Sequence, residues 1–265
     1  MLNPVVKPGK FTEMDKFIFE SWGYFIIPNV LSKEEVAEAL EASKRIHEAA
    51  GTKEFGQVGR GFETEPALER LIDHPAVLPK IRGIYGDRFI LQAHWNTKQP
   101  ARGKTGGWHQ DGSGAYDFKL LGSPIPLIQL RASFLLTDQN EPGMGNMEMI
   151  PGSHRSLVSL PREVWVENGE TPISHIVCAN AGDVLVFHNA VYHRPYAHNH
   201  DFDRYTAHFI YSPPWVRASD RLTNNQEFLA RTTQVRRALM GEYERPDAPY
   251  GIGYEAPQFE EDKEF

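Results

Sequence analysis

The chain has 265 residues, of which 40% are hydrophobic and 11% aromatic, and a formal net charge of −7. That length and composition suit a globular protein with a sizeable core and exclude a disordered or collagen-like chain. The acidic balance argues against general nucleic-acid binding, which needs Lys and Arg to neutralise phosphates, and a lone cysteine, Cys178, excludes an intramolecular disulfide.

Phe11, Met14, Phe17 and Ile18 recur at helical spacing and predict a helix over 11–22. YFIIPNV (24–30) reads as a short buried strand. Ser32 and Glu35 then form a capping box for a helix that ends at Gly51, with Val36, Leu40 and Ile46 on its buried side. Residues 52–64 read as loop, and 66–87 as two short helices broken near Pro75 and Pro79.

The pattern then changes to strand-like runs at 88–100, 128–138, 147–153, 173–189 and 204–213, separated by Gly, Pro, Asn and Asp clusters. Helical spacing returns over about 224–240, and the tail from 241 is rich in Pro, Gly and Glu. The expectation is one domain over 1–265. It has a helical flank at about 1–87, a β barrel or sandwich at about 88–213, and a C-terminal helix and tail at 214–265. The single cysteine fits a reducing compartment. The N-terminus has no signal-peptide-like run and no stretch is long enough to span a bilayer, so the expected protein is soluble and cytoplasmic.

Residues 106–114, GGWHQDGSG, place His109 and Asp111 on alternate positions. One His-x-Asp among eleven histidines can arise by chance. On a strand, however, alternate side chains share a face and can aim an imidazole and a carboxylate at one point. The downstream histidines are His154, His175, His188, His193, His198, His200 and His208. Two histidines and a carboxylate with open positions beside them form the site of non-haem Fe(II) oxygenases. His193 follows the strand-like VLVF and is the best third ligand, with His188 as its rival. Arg204, eleven residues after His193, opens the next strand. A guanidinium fork there suits the far carboxylate of a 2-oxoglutarate co-substrate.

Several segments in order resemble the phytanoyl-CoA dioxygenase family of Fe(II)/2-oxoglutarate oxygenases: SWGYFIIPNVLSKEEVAEAL, TKQPARGKTGGWHQD, FLLTDQNEPGMGNMEMIPGSHR and AGDVLVFHNAVYH with Arg204. The resemblance covers roughly residues 15–215. It implies a mainly β chain with flanking helices, folded as a double-stranded β-helix (jelly-roll, cupin-like). It also implies Fe(II) held by His109, Asp111 and His193, with Arg204 gripping 2-oxoglutarate and O2 as oxidant. Gln110, and His94 and Asn96 from the preceding strand, are further candidates for the co-substrate pocket.

The sequence departs from the family in two places. Ser133 or Phe134 stands where a tryptophan is common, with Arg131 nearby, and Pro195 replaces a hydroxyl residue two after His193. Arg131 is a candidate for holding an acidic substrate or the co-substrate carboxylate. The resemblance also implies that Asp111 favours hydroxylation or a related oxidation, because halogenases of this fold lack the carboxylate. His154, Trp95, Trp108 and Trp215 read as packing or turn residues and Cys178 as an inert buried thiol.

The expected partner is a small-molecule substrate, with no nucleic acid and no membrane, and a homo-oligomer is left open. Segments 112–127 and 224–240 are candidates for a lid. Two alternatives remain: a cupin-like hydrolase or isomerase using Zn or Mn, and a non-catalytic protein that binds 2-oxoglutarate or a metabolite.

Overall fold

A computed structural model describes residues 3–113, 117–166 and 171–242. Helix α1 (Glu13–Trp22) starts at Thr12, whose hydroxyl accepts from Asp15 N while the Asp15 carboxylate accepts from Thr12 N. It ends at Gly23, with φ of 80°. A Cβ there would stand 2.4 Å from Val191 Cγ2 and 2.5 Å from His154 Nδ1, so both backbone and packing require glycine. Strand β1 (Tyr24–Ile27) stops before Pro28, which has no N–H for a ladder. Helix α2 (Lys33–Ala49) carries the expected box between Ser32 and Glu35. Strand β2 (Gly56–Gly59) forms inside the stretch expected to be loop, and α3 (Pro66–Glu69) and α4 (Leu78–Tyr85) are the two short helices.

The β region contains β3 (Ile90–Gln99), β4 (Leu130–Leu135) and β5 (Met147–Met149), then the short helix α5 (Arg162–Val166). It continues with β6 (His175–Ile176), β7 (Val184–His188), β8 (His193–Pro195) and β9 (Arg204–Ser212). The run at 173–189 is thus two strands in different sheets. They are split at a turn where Asp183 accepts from Asn180 N and Asn29 N, both at 2.8 Å. The C-terminal helical stretch is also two pieces, α6 (Gln226–Arg231) and α7 (Gln234–Leu239). Thr232 is extended between them, and the Thr233 hydroxyl caps α7. The predicted tail beyond 242 lies outside the described residues, and no described helix is long and apolar enough to cross a membrane.

One sheet has the order β1-β7-β4-β9-β3-β2 and the other β6-β5-β8, and neighbouring strands run antiparallel throughout. This is a double-stranded β-helix with helices against the outside of the larger sheet. On that outer face Tyr205, Ala207, Phe209 and Tyr211 of β9 join Ala132, Phe134, Val184 and Val186. They pack under Phe19, Ala39, Ile46, Leu68 and Ile81 from the helices. The alternate residues Leu185 and Phe187 face inward and pack with Tyr24, Ile26, Met149 and Val177. Lys80 of α4 is buried against Asp15 of α1 at 2.7 Å, joining the two helices beneath that core.

Cross-strand partners share a face, so register identifies the rest of the inner surface. Leu185 pairs with Ser133 and Phe187 with Arg131, while Ser133 pairs with His208 and Arg131 with Ile210. Arg204, Thr206 and His208 of β9 therefore point inward, opposite Gln99, Thr97 and Trp95 of β3.

Candidate active site

His109 is drawn onto β8 by a two-way backbone bridge: His109 N donates to His193 O at 2.9 Å and His193 N to His109 O at 3.0 Å. Asp111 N donates to Asn189 O at 2.9 Å, and the Asn189 amide returns a bond to Asp111 O at 3.2 Å. The glycine-rich loop is thus stitched along the strand that carries the distal histidine. Ligand atoms of His109, Asp111 and His193 all lie within 4.8 Å of one another. His193 Nε2 is 3.4 Å from Asp111 Oδ2, and His109 Nε2 is 4.0 Å from Oδ1.

Both imidazoles are oriented by carbonyls. His109 Nδ1 lies 3.0 Å from Gly107 O and His193 Nδ1 lies 2.9 Å from Val191 O. A carbonyl only accepts, so each Nδ1 carries the proton and each Nε2 keeps its lone pair for the centre. Burial, with His109 beside it, lowers the His193 pKa to about 4, so the ring is neutral near pH 7, as a ligand must be. Asp111 Oδ2 is buried without a hydrogen bond. His109 is 45% exposed and marks the open side of the cluster.

Arg204 is enclosed on the inner face. Nη1 donates to Thr206 Oγ1 at 2.9 Å, Nε has no hydrogen-bond partner, and no described carboxylate pairs with it. The nearby acids are spent elsewhere, Asp203 on Lys98 at 3.0 Å and Asp201 on Arg102 at 2.6 Å. Burial lowers the arginine's pKa to about 10, which leaves it charged at neutral pH. Gln99 stands opposite Arg204 across the ladder, with Oε1 buried and unbonded and Nε2 donating to Tyr196 O at 3.2 Å. Gly145, with φ of 71°, closes the same corner: a Cβ would lie 2.7 Å from Gln99 Oε1. Between this corner and the metal-type cluster, His208 Nδ1 and Ser133 Oγ are 2.7 Å apart. Burial, with Arg131 and Arg204 nearby, holds the His208 pKa well below its ordinary value.

Three of the sequence-based candidates for the co-substrate pocket are placed elsewhere. His94 pairs with Phe209 and Asn96 with Ala207, so both face the helices. The His94 ring lies between Phe62 and Phe209, with centroids at 5.6 and 4.7 Å, and burial lowers its pKa to about 3. Asn96 donates to Ser43 Oγ of α2 at 2.8 Å. The Gln110 amide is turned away from its neighbours His109 and Asp111 and donates to Ala190 O at 2.6 Å. The rival ligand His188 lies in the core against His154, 5.0 Å between ring centroids. Arg131 reaches the cluster, with Nε 2.5 Å from Asp111 Oδ2. The inner-face residues that the sequence does not single out are Gln99 and Thr206, and it gives no sign that Ser133 and His208 form a pair. Alternation from Arg204 along β9 would have pointed to Thr206 and His208.

The family described as Phytanoyl-CoA dioxygenase (PhyH) matches residues 19–205. Ectoine dioxygenase of Bordetella bronchiseptica is 30% identical over 171 residues, covering 59% of this chain and 52% of that protein. The enzyme of the same name from Stutzerimonas stutzeri is 30% identical over 172 residues, with 59% and 53% coverage. The chain thus spans about half the length of the curated relatives it matches. Among solved structures, HygX from Streptomyces hygroscopicus with nickel and 2-oxoglutarate bound superposes with a TM-score of 0.68 at 19% identity. That match covers 78% of this chain and 89% of HygX. The non-heme alpha ketoglutarate dependent carbocyclase SnoK from nogalamycin biosynthesis gives 0.63 at 21% identity, covering 77% and 85%. These two likenesses establish a shared fold.

Proposed function

Because this chain belongs to the phytanoyl-CoA dioxygenase family, we propose that it is an Fe(II)- and 2-oxoglutarate-dependent dioxygenase that hydroxylates a small-molecule substrate. The observation that carries this reading is the convergence of His109, Asp111 and His193 within 4.8 Å, in a barrel whose inner face also holds the buried Arg204, which pairs with no described carboxylate.

The residues fit the groups they would hold. Two Nε2 lone pairs and the Asp111 carboxylate, whose Oδ2 also lies 2.5 Å from Arg131 Nε, are a donor set for a divalent ion of this class. Arg204 Nε is a buried donor with unspent bonding capacity, and a carboxylate would accept from it. Such capacity is costly unless a ligand fills it. When bound, iron and 2-oxoglutarate supply the oxidising chemistry, consuming O2 and releasing succinate and CO2.

The chain's own residues supply geometry. The carbonyls of Gly107 and Val191 fix the two imidazoles. The Asn189 stitch holds Asp111. Arg204, oriented by Thr206, grips the far carboxylate of the co-substrate. Neutral His208 adds no positive charge between Arg204 and the metal ligands. A hydrolase or isomerase without 2-oxoglutarate would leave Arg204 idle, so the arginine favours the oxygenase over that alternative. A non-catalytic binder would have no use for a metal cluster with an open side.

The test is anaerobic loading with Fe(II) and 2-oxoglutarate, followed by O2 and a metabolite extract. The expected result is succinate release and a product one oxygen atom heavier than its precursor. A product of unchanged mass, as in an epimerisation, would replace hydroxylation with another oxidation outcome of the same site. No succinate under any condition would overturn the reading.

A further inference from the structure

The reading above gives Arg204 a task and leaves Arg131 without one. Arg131 projects from the inner face of β4, and Asp111 is its ion-pair partner among the described residues. Its Nε is 2.5 Å from Asp111 Oδ2, yet neither atom has hydrogen-bond geometry to any partner. The side chain keeps 16% exposure while Nε is enclosed, so the part that reaches open space is the terminal fork. No described acceptor takes a bond from that fork.

Arg221 shows how this chain completes a structural arginine. Its Nε donates to Asn224 at 2.8 Å, Nη1 to Asp220 at 2.7 Å and Nη2 to Leu91 O at 2.6 Å. Arg131 and Arg204 are left with unspent donors, and both lie on the inner face. Charge points the same way. Among the described residues, the inner face holds two guanidiniums, Arg131 and Arg204, and Asp111 is the one carboxylate paired with either. With a divalent ion and dianionic 2-oxoglutarate added, one positive charge among these groups would stay uncompensated, and the Arg131 side chain is largely buried at 16% exposure, where an unpaired charge is costly.

Resting on the oxygenase reading, we propose that the substrate bears a carboxylate, received by the terminal fork of Arg131 while Nε stays on Asp111. One guanidinium then ties the substrate's anion to a metal ligand and sets the substrate beside the reacting centre. A planar carboxylate matches the planar fork and carries the single charge the pocket needs. A phosphate dianion would overshoot it.

The probes are acetate, acetamide and inorganic phosphate. They are titrated anaerobically into the full chain loaded with Co(II) and saturating 2-oxoglutarate, with the visible cobalt bands as readout. Acetate should bind at least about tenfold more tightly than acetamide, and Arg131→Gln should weaken acetate by at least about tenfold. The affinity for 2-oxoglutarate should fall by less than that for acetate, because Arg131 touches the metal ligand Asp111 but does not hold the co-substrate. Arg131→Lys, which keeps the charge and loses the fork, should weaken acetate to an intermediate degree. It also serves where the Gln variant does not fold.

Equal binding of acetate and acetamide, tighter binding of phosphate, or acetate binding that survives in both variants would overturn the proposal. So would a loss of 2-oxoglutarate affinity as large as that of acetate, which would give Arg131 to the co-substrate. A wild-type chain that takes up neither cobalt nor 2-oxoglutarate would overturn the oxygenase reading as well.

Discussion

Leu91 and Ala93 are separated by one residue on β3, yet they pair with adjacent residues of β9, Tyr211 and Ile210. Gln92 is the extra residue of a β-bulge, which reverses the side-chain phase of everything after it. The segment after β9 straps the bulge in place. Ser219 N donates to Gln92 O at 3.1 Å, the Gln92 amide to Arg217 O at 3.0 Å, and His94 N to Asp220 at 2.9 Å. Leu91 faces the helices, and without the bulge Trp95, Thr97 and Gln99 would face them too. With it they line the barrel.

That phase sets up a paired expectation. Gln99→Leu should weaken 2-oxoglutarate binding several-fold, because it replaces the amide opposite Arg204 with an apolar side chain beside that guanidinium. Asn96→Ala should cost about 1–2 kcal/mol of stability through its lost bond to Ser43, with 2-oxoglutarate affinity unchanged. Thermal melts and anaerobic 2-oxoglutarate titrations of the two variants check this. The opposite pattern would return the even-numbered face of β3 to the site.

Arg204→Met keeps much of the side-chain volume and removes the charge. The affinity for 2-oxoglutarate should fall by about 30-fold or more, the scale for losing one member of a buried charged pair. Divalent metal affinity should be retained, since the ligand cluster does not include Arg204. Separate titrations with metal and co-substrate read the two effects independently.

The N-terminal helices and the grouping of His109, Asp111 and His193 are legible in the sequence because their signals lie in short segments. Ser32 with Glu35 announces a helix start, and the ordered segments around His109, Asp111, His193 and Arg204 carry the family's pattern. The rest depends on pairing. The role of β2 comes from its partner β3, since Gly56–Gly59 is too glycine-rich to show strand alternation. The three-residue β8 is a strand by virtue of β5 and the His109 bridge. His94 and Asn96 suit a polar pocket by residue type, and alternation puts them on one side of the strand. Which side that is depends on a bulge that no residue pattern in 88–100 announces.

Metal binding should stabilise the fold, because the three donors meet only in the folded chain. A divalent ion at about one hundred times its dissociation constant should add about 2.7 kcal/mol, read as a rise in Tm on adding Mn(II) or Co(II) and its reversal by a chelator. His193→Ala should abolish the rise. A rise of equal size in that variant would mean the ion binds elsewhere.

Acid sensitivity should trace to the helical layer through Asp15. Burial pushes its pKa up, but the Lys80 ammonium and the Thr12 N–H outweigh it and hold the carboxyl below its ordinary 3.8. A carboxylate whose pKa is lower folded than unfolded adds stability that is fully present above the unfolded value. That stability is lost as pH falls through the folded one. Asp15→Asn leaves the Lys80 charge buried without its partner and should cost about 3–5 kcal/mol at neutral pH. The gap in Tm between wild type and variant should be constant from neutral pH down to about pH 5 and should shrink as pH falls below about 4, the unfolded value, and on through the lowered folded one. A gap that persists at the acid end would place the destabilisation in packing around α1 and α4 rather than in the ion pair.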